Sequence, residues 1–272
     1  MTERKLNKYA VIGNPVAHSQ SPYIHQAFAK QFGVNLSYEK ILTDKDKFQQ
    51  VVEQFFADGG KGLNITTPFK SLAANCAKSC SDEAIVSDSV NTLYINDSGE
   101  LVGESTDGRG WLIDISRLNI SLSDKNVLII GAGGAARVLI NTIVKEPISS
   151  LHICNRTVEK ALQLLNDPKL SASGLNDIPD IKWDIVINTL SVGWHGAYPE
   201  IKVNLAENSY AYDLNYGEGA QPFQKWFLTC GGDQDKFNDG WGMLVEQAAE
   251  SFNHWWKRRP ITDELINNGN PK

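Results

Sequence analysis

The sequence is poor in the features that mark secreted, membrane-spanning or nucleic-acid-binding proteins. It has 4 cysteines in 272 residues, and its formal net charge is −6. With no recognisable secretion signal, so few cysteines indicate reduced thiols rather than a disulfide framework. No apolar run approaches the roughly 18 residues of a membrane helix, and an acidic balance disfavours a nucleic-acid surface. We therefore expect a cytoplasmic protein whose partners are neither membranes nor nucleic acids.

Metal-ligand spacings, internal repeats and low-complexity segments are lacking as well. Cys76 and Cys80 lie four residues apart, which would place them on one face of a helix. Two thiols without a nearby histidine or third cysteine do not make a zinc site, so we expect no metal. The composition, 42% hydrophobic and 21% charged, is typical of a globular protein of one or two domains.

Apolar stretches alternate with helical patterns along the chain, which predicts an α/β fold with two domains. In the first part, Ser21-Pro22 signals a helix start, with Ser21 as the N-cap and Pro22 at the first helical position. Asn96–Gly99 has the chemistry of a hairpin turn. From about Thr106 onward, strands and helices alternate at the spacing of a parallel, doubly wound sheet.

One stretch of the second part has the pattern of a dinucleotide site. The apolar run Val127–Ile130 ends in glycines, and a helix-forming run follows. Gly131 suits the tight turn, Gly133 lets the backbone approach a diphosphate, and Ala136 takes the position that packs the helix on the strand. The helix start then offers free N–H groups to the phosphates. This predicts a Rossmann-type cofactor domain, the alternative being a simple tight turn.

The end of the next strand distinguishes NAD from NADP. An NAD site usually carries Asp or Glu there, but this chain has Asn155-Arg156-Thr157. The planar guanidinium of Arg156 suits a 2′-phosphate, and Lys160 adds charge one turn further on. We therefore predict NADP(H) as the cofactor. The alternative is that Arg156 is a solvated surface residue and Thr157 only a helix N-cap.

The first part carries polar stretches that secondary structure alone does not explain. Ser19 and Ser21 flank one residue in the loop before a helix, and Lys70 follows a strand that Pro68 ends. Asp107 lies at the junction of the two parts, where ligand clefts form. The alternatives are plain helix caps for Ser21 and Asp107, and a solvent-exposed lysine.

Together these motifs resemble the shikimate dehydrogenase family, NADP-dependent enzymes of aromatic amino-acid biosynthesis. The resemblance runs from Ala10 to about Trp256. Its motifs, in order, are GNPVAHSQSP, NITTPFK, SVNT, STDG, GAGGAAR, NRT, NTLSVG and DGWGMLVEQAA. It implies reversible reduction of the small molecule 3-dehydroshikimate to shikimate with NADPH, by a monomer or homodimer.

The resemblance also implies roles for individual residues. Lys70 and Asp107 match the catalytic pair, with Lys70 as the proton donor in the reduction. The groups that bind the substrate carboxylate and hydroxyls are Ser19, Ser21, Asn64, Thr66, Asn91, Tyr216 and Gln247. The groups that bind the cofactor are Gly131, Ala132, Gly133, Gly134, Ala135, Asn155, Arg156, Thr157, Lys160, Leu214 and Gly240. The implied substrate domain is discontinuous, 1–105 plus 240–272, and the NADP-binding Rossmann domain is 106–239.

Some positions depart from the family pattern without removing a reacting group. They are Thr67, Ser89, Ser105, Trp194 and Trp241. Two glycine-containing links, Ser105–Gly108 and Asp239–Gly242, are predicted hinges. Two other functions stay open: a quinate/shikimate dehydrogenase that uses NAD, and a catalytically silent paralogue that binds NADP or a shikimate-like ligand.

Overall fold

The computed structural model describes residues 6–191 and 198–271, which form two compact units. The first contains the described residues of Met1–Gly110 together with Val245–Asn268. The second contains those of Trp111–Leu244 together with Gly269–Lys272. The junctions at 110/111 and 244/245 fall a few residues from the predicted domain limits and lie inside helices.

The elements of both units are numbered in chain order. The strands are β1 (Asn7–Gly13), β2 (Leu36–Leu42), β3 (Gly62–Ile65), β4 (Ser79–Cys80), β5 (Thr92–Ile95), β6 (Leu101–Glu104), β7 (Asn126–Ile130), β8 (Ser150–Cys154), β9 (Leu170–Ser173), β10 (Lys182–Asn188), β11 (Asn204–Asp213) and β12 (Phe237–Asn238). The helices are α1 (Ser21–Phe32), α2 (Phe48–Ala57), α3 (Lys70–Ala73), α4 (Asp82–Ser87), α5 (Asp107–Arg117), α6 (Gly134–Ile143), α7 (Val158–Leu162), α8 (Gln221–Thr229), α9 (Trp241–Trp256) and α10 (Asp263–Asn267).

The first unit is built on a mixed sheet of order β2-β1-β3-β5-β6-β4. Strand β1 runs parallel to β2 and β3, and its residues Tyr9–Ile12 are buried, as expected for a strand covered on both faces. Strands β5 and β6 pair antiparallel, so the predicted hairpin is present. Because β1 and β3 are parallel, the loops that follow them emerge at the same edge of the sheet.

The start of α1 differs from the prediction. Gln20 occupies the N-cap position without a side-chain cap bond, and Ser21 is already the first helical residue. The amide of Ser21 donates instead to the hydroxyl of Ser19 at 3.3 Å. The expectation that Ser21 caps the helix is therefore wrong, because the serine two residues earlier supplies the acceptor.

The second unit is a six-stranded parallel sheet of order β12-β11-β10-β7-β8-β9. This is the Rossmann order, in which the chain reverses direction across the sheet between β7 and β10. Residues Val127–Ile130 of β7 are fully buried, as a central strand with helices on both faces requires. The predicted α/β class with a Rossmann-type second domain is confirmed.

The structure also corrects the prediction for Cys76 and Cys80. Cys76 ends a short 3-10 turn, whereas Cys80 lies in β4, so they do not share a helix face. Within the described ranges, no three His, Cys, Asp or Glu side chains are grouped so as to hold a metal. No helix in that part of the chain is both long and apolar enough to cross a bilayer.

Candidate active site

Lys70 and Asp107 form an ion pair in the first unit. Each is the first residue of a helix: Lys70 begins the short helix α3, and Asp107 begins the longer helix α5. The Nζ of Lys70 lies 2.6 Å from Oδ2 of Asp107, and the two side chains are 31% and 10% exposed. The carboxylate therefore fixes an ammonium group that solvent or a ligand can still reach.

Asn91 holds the other oxygen of that carboxylate. Its Nδ2 lies 2.8 Å from Oδ1 of Asp107 and from Oγ1 of Thr106, and 3.2 Å from Oε1 of Gln247. Its Oδ1 accepts the backbone N–H of Thr106 at 2.9 Å. Asn91 is 2% exposed, so these bonds form away from water and fix the direction in which Asp107 faces Lys70.

Asn64 joins β3 to β5 and α9 in the same unit. Its Nδ2 donates to Oγ of Ser251 at 3.0 Å and to the carbonyl of Asn91 at 3.2 Å. Its Oδ1 accepts the hydroxyl of Tyr38 at 2.6 Å. The three predicted amides, Asn64, Asn91 and Gln247, thus belong to one continuous hydrogen-bonded cluster.

The serine pair reaches the cluster through Tyr38. The hydroxyls of Ser19 and Ser21 are 3.2 Å apart, and that of Ser21 also hydrogen-bonds Tyr38. Thr66 follows β3 directly, and its amide donates to the carbonyl of Ile12 at 2.9 Å. The predicted residues of the first unit therefore lie after β1, in and after β3, just before β5, and on helices α1, α3, α5 and α9.

A neutral aromatic layer packs beneath these polar groups. His25 is fully buried and stacks on Tyr38 with ring centroids 4.6 Å apart. Burial lowers the pKa of His25 to about 3 and raises the pKa of Tyr38 well above its usual value. Both rings are therefore uncharged at neutral pH, and Tyr38 stays a hydrogen-bond donor to Asn64.

Sequence reasoning missed four members of this cluster: Tyr38, Thr92, Thr106 and Ser251. Thr106 precedes Asp107, and Ser251 lies one helical turn after Gln247, so spacing on α9 would have indicated a shared face. Nothing in the local sequence marks Tyr38, because its partners are on other elements.

Tyr216 belongs to the second unit, and its role in binding substrate stays a prediction. Its side chain is half-buried, and burial raises the pKa of its phenol. Its ring centroid lies 6.0 Å from that of Trp241. Trp241 is 4% exposed and begins α9, so this departure from the family pattern supports the tyrosine. Trp194, and with it Val192-Gly193 of the NTLSVG motif, lies outside the described residues.

The glycine turn of the second unit is built from backbone. Gly131 has φ +115°, and a Cβ there would lie 2.3 Å from Oγ1 of Thr189, so only glycine fits. Gly133 is the N-cap of α6 and makes no side-chain cap bond. A Cβ added at Gly133 or Gly134 would meet nothing within 4 Å. Open space thus faces the free N–H groups of a helix start, an arrangement that fits a diphosphate.

The turn after β8 presents exposed cations at the same edge of the sheet. The side-chain amide of Asn155 donates to the carbonyl of Thr157 at 2.8 Å and shapes this turn. Arg156 and Lys160 are exposed. Thr157 occupies the N-cap position of α7, but its hydroxyl makes no cap bond. Helix capping by that hydroxyl therefore does not explain why threonine stands at this position. The two cations fit an additional phosphate beside the adenosine end of a dinucleotide.

Leu214 and Gly240, two further predicted cofactor residues, are in direct contact. The amide of Gly240 donates to the carbonyl of Asn215 at 2.9 Å. A Cβ at Gly240 would lie 2.4 Å from the carbonyl oxygen of Leu214, which leaves room only for glycine.

The remaining departures from the family pattern have ordinary surroundings. Thr67 is exposed, Ser89 is buried, and the hydroxyl of Ser105 has no hydrogen-bond partner among the described residues. None of the three touches the Lys70–Asp107 ion pair through a hydrogen bond in that part of the chain.

Two family models match the chain. Residues 11–93 match the shikimate dehydrogenase substrate binding domain, and residues 114–192 match shikimate / quinate 5-dehydrogenase. The chain is 41% identical over 266 residues to shikimate dehydrogenase (NADP(+)) of Pseudoalteromonas atlantica, covering 96% of this chain and 97% of the relative. The chain belongs to the shikimate dehydrogenase family. The resemblance inferred from the motifs is therefore confirmed.

Another relative and two solved structures show further likeness to this chain. The enzyme of Halorhodospira halophila, also named shikimate dehydrogenase (NADP(+)), is 41% identical over 95% of this chain and 96% of its own. An Ael1 enzyme from Pseudomonas putida superposes with a TM-score of 0.89 at 38% identity, over 98% and 99% of the two chains. The Thermus thermophilus enzyme, solved with NADP(H) and shikimate, gives 0.81 at 26% identity over 96% and 97%.

Proposed function

We propose that this protein is an NADP-dependent shikimate dehydrogenase, which reversibly reduces 3-dehydroshikimate to shikimate in aromatic amino-acid biosynthesis. The observation that carries the proposal is the contact of 2.6 Å between Lys70 and Asp107, held by the buried amide of Asn91. The relatives named shikimate dehydrogenase (NADP(+)) support the same reaction. Nothing in the comparisons favours quinate with NAD or a silent paralogue.

The chemistry divides between the cofactor and the side chains. NADPH, when bound, supplies the hydride. As negative charge develops on the substrate oxygen, the ammonium of Lys70 stabilises it and donates a proton; in the oxidation, neutral Lys70 accepts that proton. Asp107 holds Lys70 and offers its other oxygen to a substrate hydroxyl. The hydroxyls and amides of the cluster bind the remaining polar groups of the substrate.

The nucleotide is NADP because of the turn after β8. No carboxylate is present at Asn155-Arg156-Thr157 to bind ribose hydroxyls. Arg156 and Lys160 are exposed and bind the 2′-phosphate, while the glycine turn and the start of α6 bind the diphosphate. We further propose that the first unit binds the substrate, and that the protein acts in the cytoplasm as a monomer or homodimer.

The test is the appearance of NADPH absorbance when purified protein is mixed with shikimate and NADP+. Rapid reduction of NADP+ is expected. Parallel assays combine shikimate or quinate with NADP+ or NAD+, and the highest kcat/KM is expected for shikimate with NADP+. A folded protein that produces no NADPH, although it binds NADP+, would support the silent paralogue instead. Higher efficiency with NAD+ would overturn the assignment of the nucleotide.

A further inference from the structure

Asp213 is a fully buried carboxyl group that the proposed chemistry does not use. It is the last residue of β11 and is 0% exposed. Its Oδ1 accepts three N–H groups: Nδ2 of Asn188 at 2.8 Å, the amide of Asn215 at 2.9 Å and Nδ2 of Asn215 at 2.9 Å. One oxygen therefore collects donors from the ends of two neighbouring strands.

These bonds fasten two loops at the carboxyl edge of the sheet. Nδ2 of Asn215 also donates to the carbonyl of Leu190 at 2.8 Å, and the amide of Leu190 donates to Oδ1 of Asn188 at 3.2 Å. Asn188 and Leu190, at the end of β10, are thus tied to Asp213 and Asn215, at the end of β11. The two bonds that join the segments, Asn188 to Asp213 and Asn215 to Leu190, each span 25 positions in the sequence.

The fastened segments lie on one side of the point where the strand order reverses. In a Rossmann sheet, one mononucleotide half carries the glycine turn and the adenosine end, and the other half receives the nicotinamide end. Gly131 and Arg156 belong to the half that contains β7 and β8. Asp213 ends a strand of the other half, and the next residue, Leu214, carries the carbonyl against which Gly240 packs.

The second oxygen of Asp213 is buried at a cost in folding free energy, because within the described part of the chain it lacks a compensating hydrogen bond. Oδ2 is buried without a hydrogen-bond partner among the described residues. Burial raises the pKa of Asp213 to about 7, the donors on Asn215 and Asn188 oppose that rise, and nearby Asp239 adds to it. Tyr198, whose hydroxyl donates to Asn188, is half-buried close by. Buried groups with perturbed titration are common at functional sites.

We propose that Asp213 is a positioning residue for the nicotinamide end of NADP. It fixes the chain at Asn188–Leu190 and at Leu214–Asn215, and it does not touch the cofactor, because its second oxygen is closed off from solvent. This inference rests on the proposed function, since it assumes that NADP occupies the Rossmann unit.

The experiment compares two ligands that share the adenosine end. Binding of NADP+ and of 2′-phospho-ADP-ribose, which lacks nicotinamide, is measured by calorimetry for wild type, Asp213→Ala and Asp213→Asn. We expect Asp213→Ala to weaken NADP+ about tenfold, because loosened loops must be ordered on binding. Binding of 2′-phospho-ADP-ribose should stay within about twofold, and Asp213→Asn should recover most of the NADP+ affinity, because an amide oxygen can accept the same donors.

Two controls keep the result specific. Asp184→Ala removes a carboxylate from the same sheet, on β10, where Asp184 accepts the amide of Asn126 at 3.0 Å; it should leave the ratio of the two affinities unchanged. If Asp213→Ala does not fold, Asn215→Ser serves in its place, because it removes the side-chain bonds to Asp213 and Leu190. It should likewise weaken NADP+ binding while leaving 2′-phospho-ADP-ribose binding nearly unchanged. An equal loss of affinity for NADP+ and for 2′-phospho-ADP-ribose would overturn the inference. Unchanged NADP+ affinity in a folded Asp213→Ala variant would overturn it as well. Failure of wild type to oxidise shikimate would count against the proposed function alone, since these measurements involve no turnover.

Discussion

The two units build their sites from different material. In the first unit, side chains from strands and helices bond to one another around Lys70 and Asp107. In the second unit, the glycine turn presents backbone N–H groups, and the side chains beside it, Arg156 and Lys160, are exposed. A substitution in the first site should therefore change the chemistry, whereas one on the surface of the second should change affinity.

The largest effect is expected for Lys70→Ala. Loss of the group that donates the proton and stabilises the developing charge should lower kcat by about 10³-fold. The affinity for shikimate should change little, because the amides and hydroxyls of the cluster remain. Steady-state kinetics and equilibrium binding of shikimate measure the two quantities separately. Lys78→Ala, at an exposed position of the same unit, is the matched control, and a wild-type kcat in Lys70→Ala would remove this lysine from the mechanism.

The next effect concerns stability in the second unit. Asp213 has a pKa of about 7 in the folded protein and an ordinary value of 3.8. The folded state therefore keeps a proton that the unfolded state has lost, and stability falls as pH rises from about 4 to 7. The loss reaches about 4 kcal/mol above pH 7 by linkage. Asp213→Asn should thus melt higher, relative to wild type, at pH 8 than at pH 5.

Melting curves at the two pH values measure this difference, and Asp180→Asn, at an exposed position of the second unit, is the control. A constant offset between Asp213→Asn and wild type at both pH values would contradict the prediction.

Arg156→Ala tests whether a surface charge of the second unit changes the affinity for NADP+ without changing kcat. Charge-assisted hydrogen bonds to a phosphate contribute about 1.5–3 kcal/mol. NADP+ should therefore bind about 10- to 100-fold more weakly, while NAD+, which has no 2′-phosphate, should bind as before. Saturating NADP+ should restore kcat almost fully. Lys182→Ala, exposed at the start of β10, should change neither nucleotide; an equal loss for NADP+ and NAD+ would contradict the role of Arg156.

The smallest effect concerns acid stability of the first unit. Burial holds the pKa of His25 at about 3, against an ordinary value of 6.5. Only the unfolded state binds a proton between these values, so stability falls as pH drops below 6.5, by about 2 kcal/mol at pH 5. His25→Phe keeps an aromatic ring among Tyr38, Phe28 and Trp255 and should melt with a weaker pH dependence.

His152 continues to contribute in that variant, because burial lowers its pKa to about 4. The slope of melting temperature against pH should therefore decrease without vanishing. His18→Asn, at an exposed position, is the control, and an unchanged slope in His25→Phe would contradict the prediction.

Sequence patterns predicted the parts of this molecule whose causes are local. The buried strand β7, the glycine turn and the helix after it follow from a continuous apolar run that ends where a positive φ is needed at Gly131. Lys70 and Asp107 were found because each lies within a recognisable motif. Sequence patterns do not predict strands β4, β9 and β12, since these have two to four residues and little apolar pattern.

The partners of the site residues could not be predicted in the same way. Tyr38 meets Asn64 from another strand, and Asp213 meets Asn188 across 25 residues. Such bonds depend on sheet register and on the packing of α9, which no short window of sequence encodes. The prediction for the start of α1 was wrong for a more local reason. The hydroxyls of Ser19 and Ser21 could both accept a backbone N–H at the helix start, and only backbone geometry selects Ser19.

The place of Gln247 and Ser251 in the chain has a consequence for how the protein is made. These residues bond to Asn91 and Asn64 across 156 and 187 positions. A chain emerging from the ribosome folds from its N-terminal end, so Lys70 and Asp107 are synthesised long before the helix that completes their surroundings. The predicted cofactor residues, of which Gly240 is the last, are all synthesised before α9, whereas the first unit is incomplete until α9 has been made. If the first unit binds the substrate as proposed, synthesis of α9 is the step at which a nascent chain becomes competent to bind it.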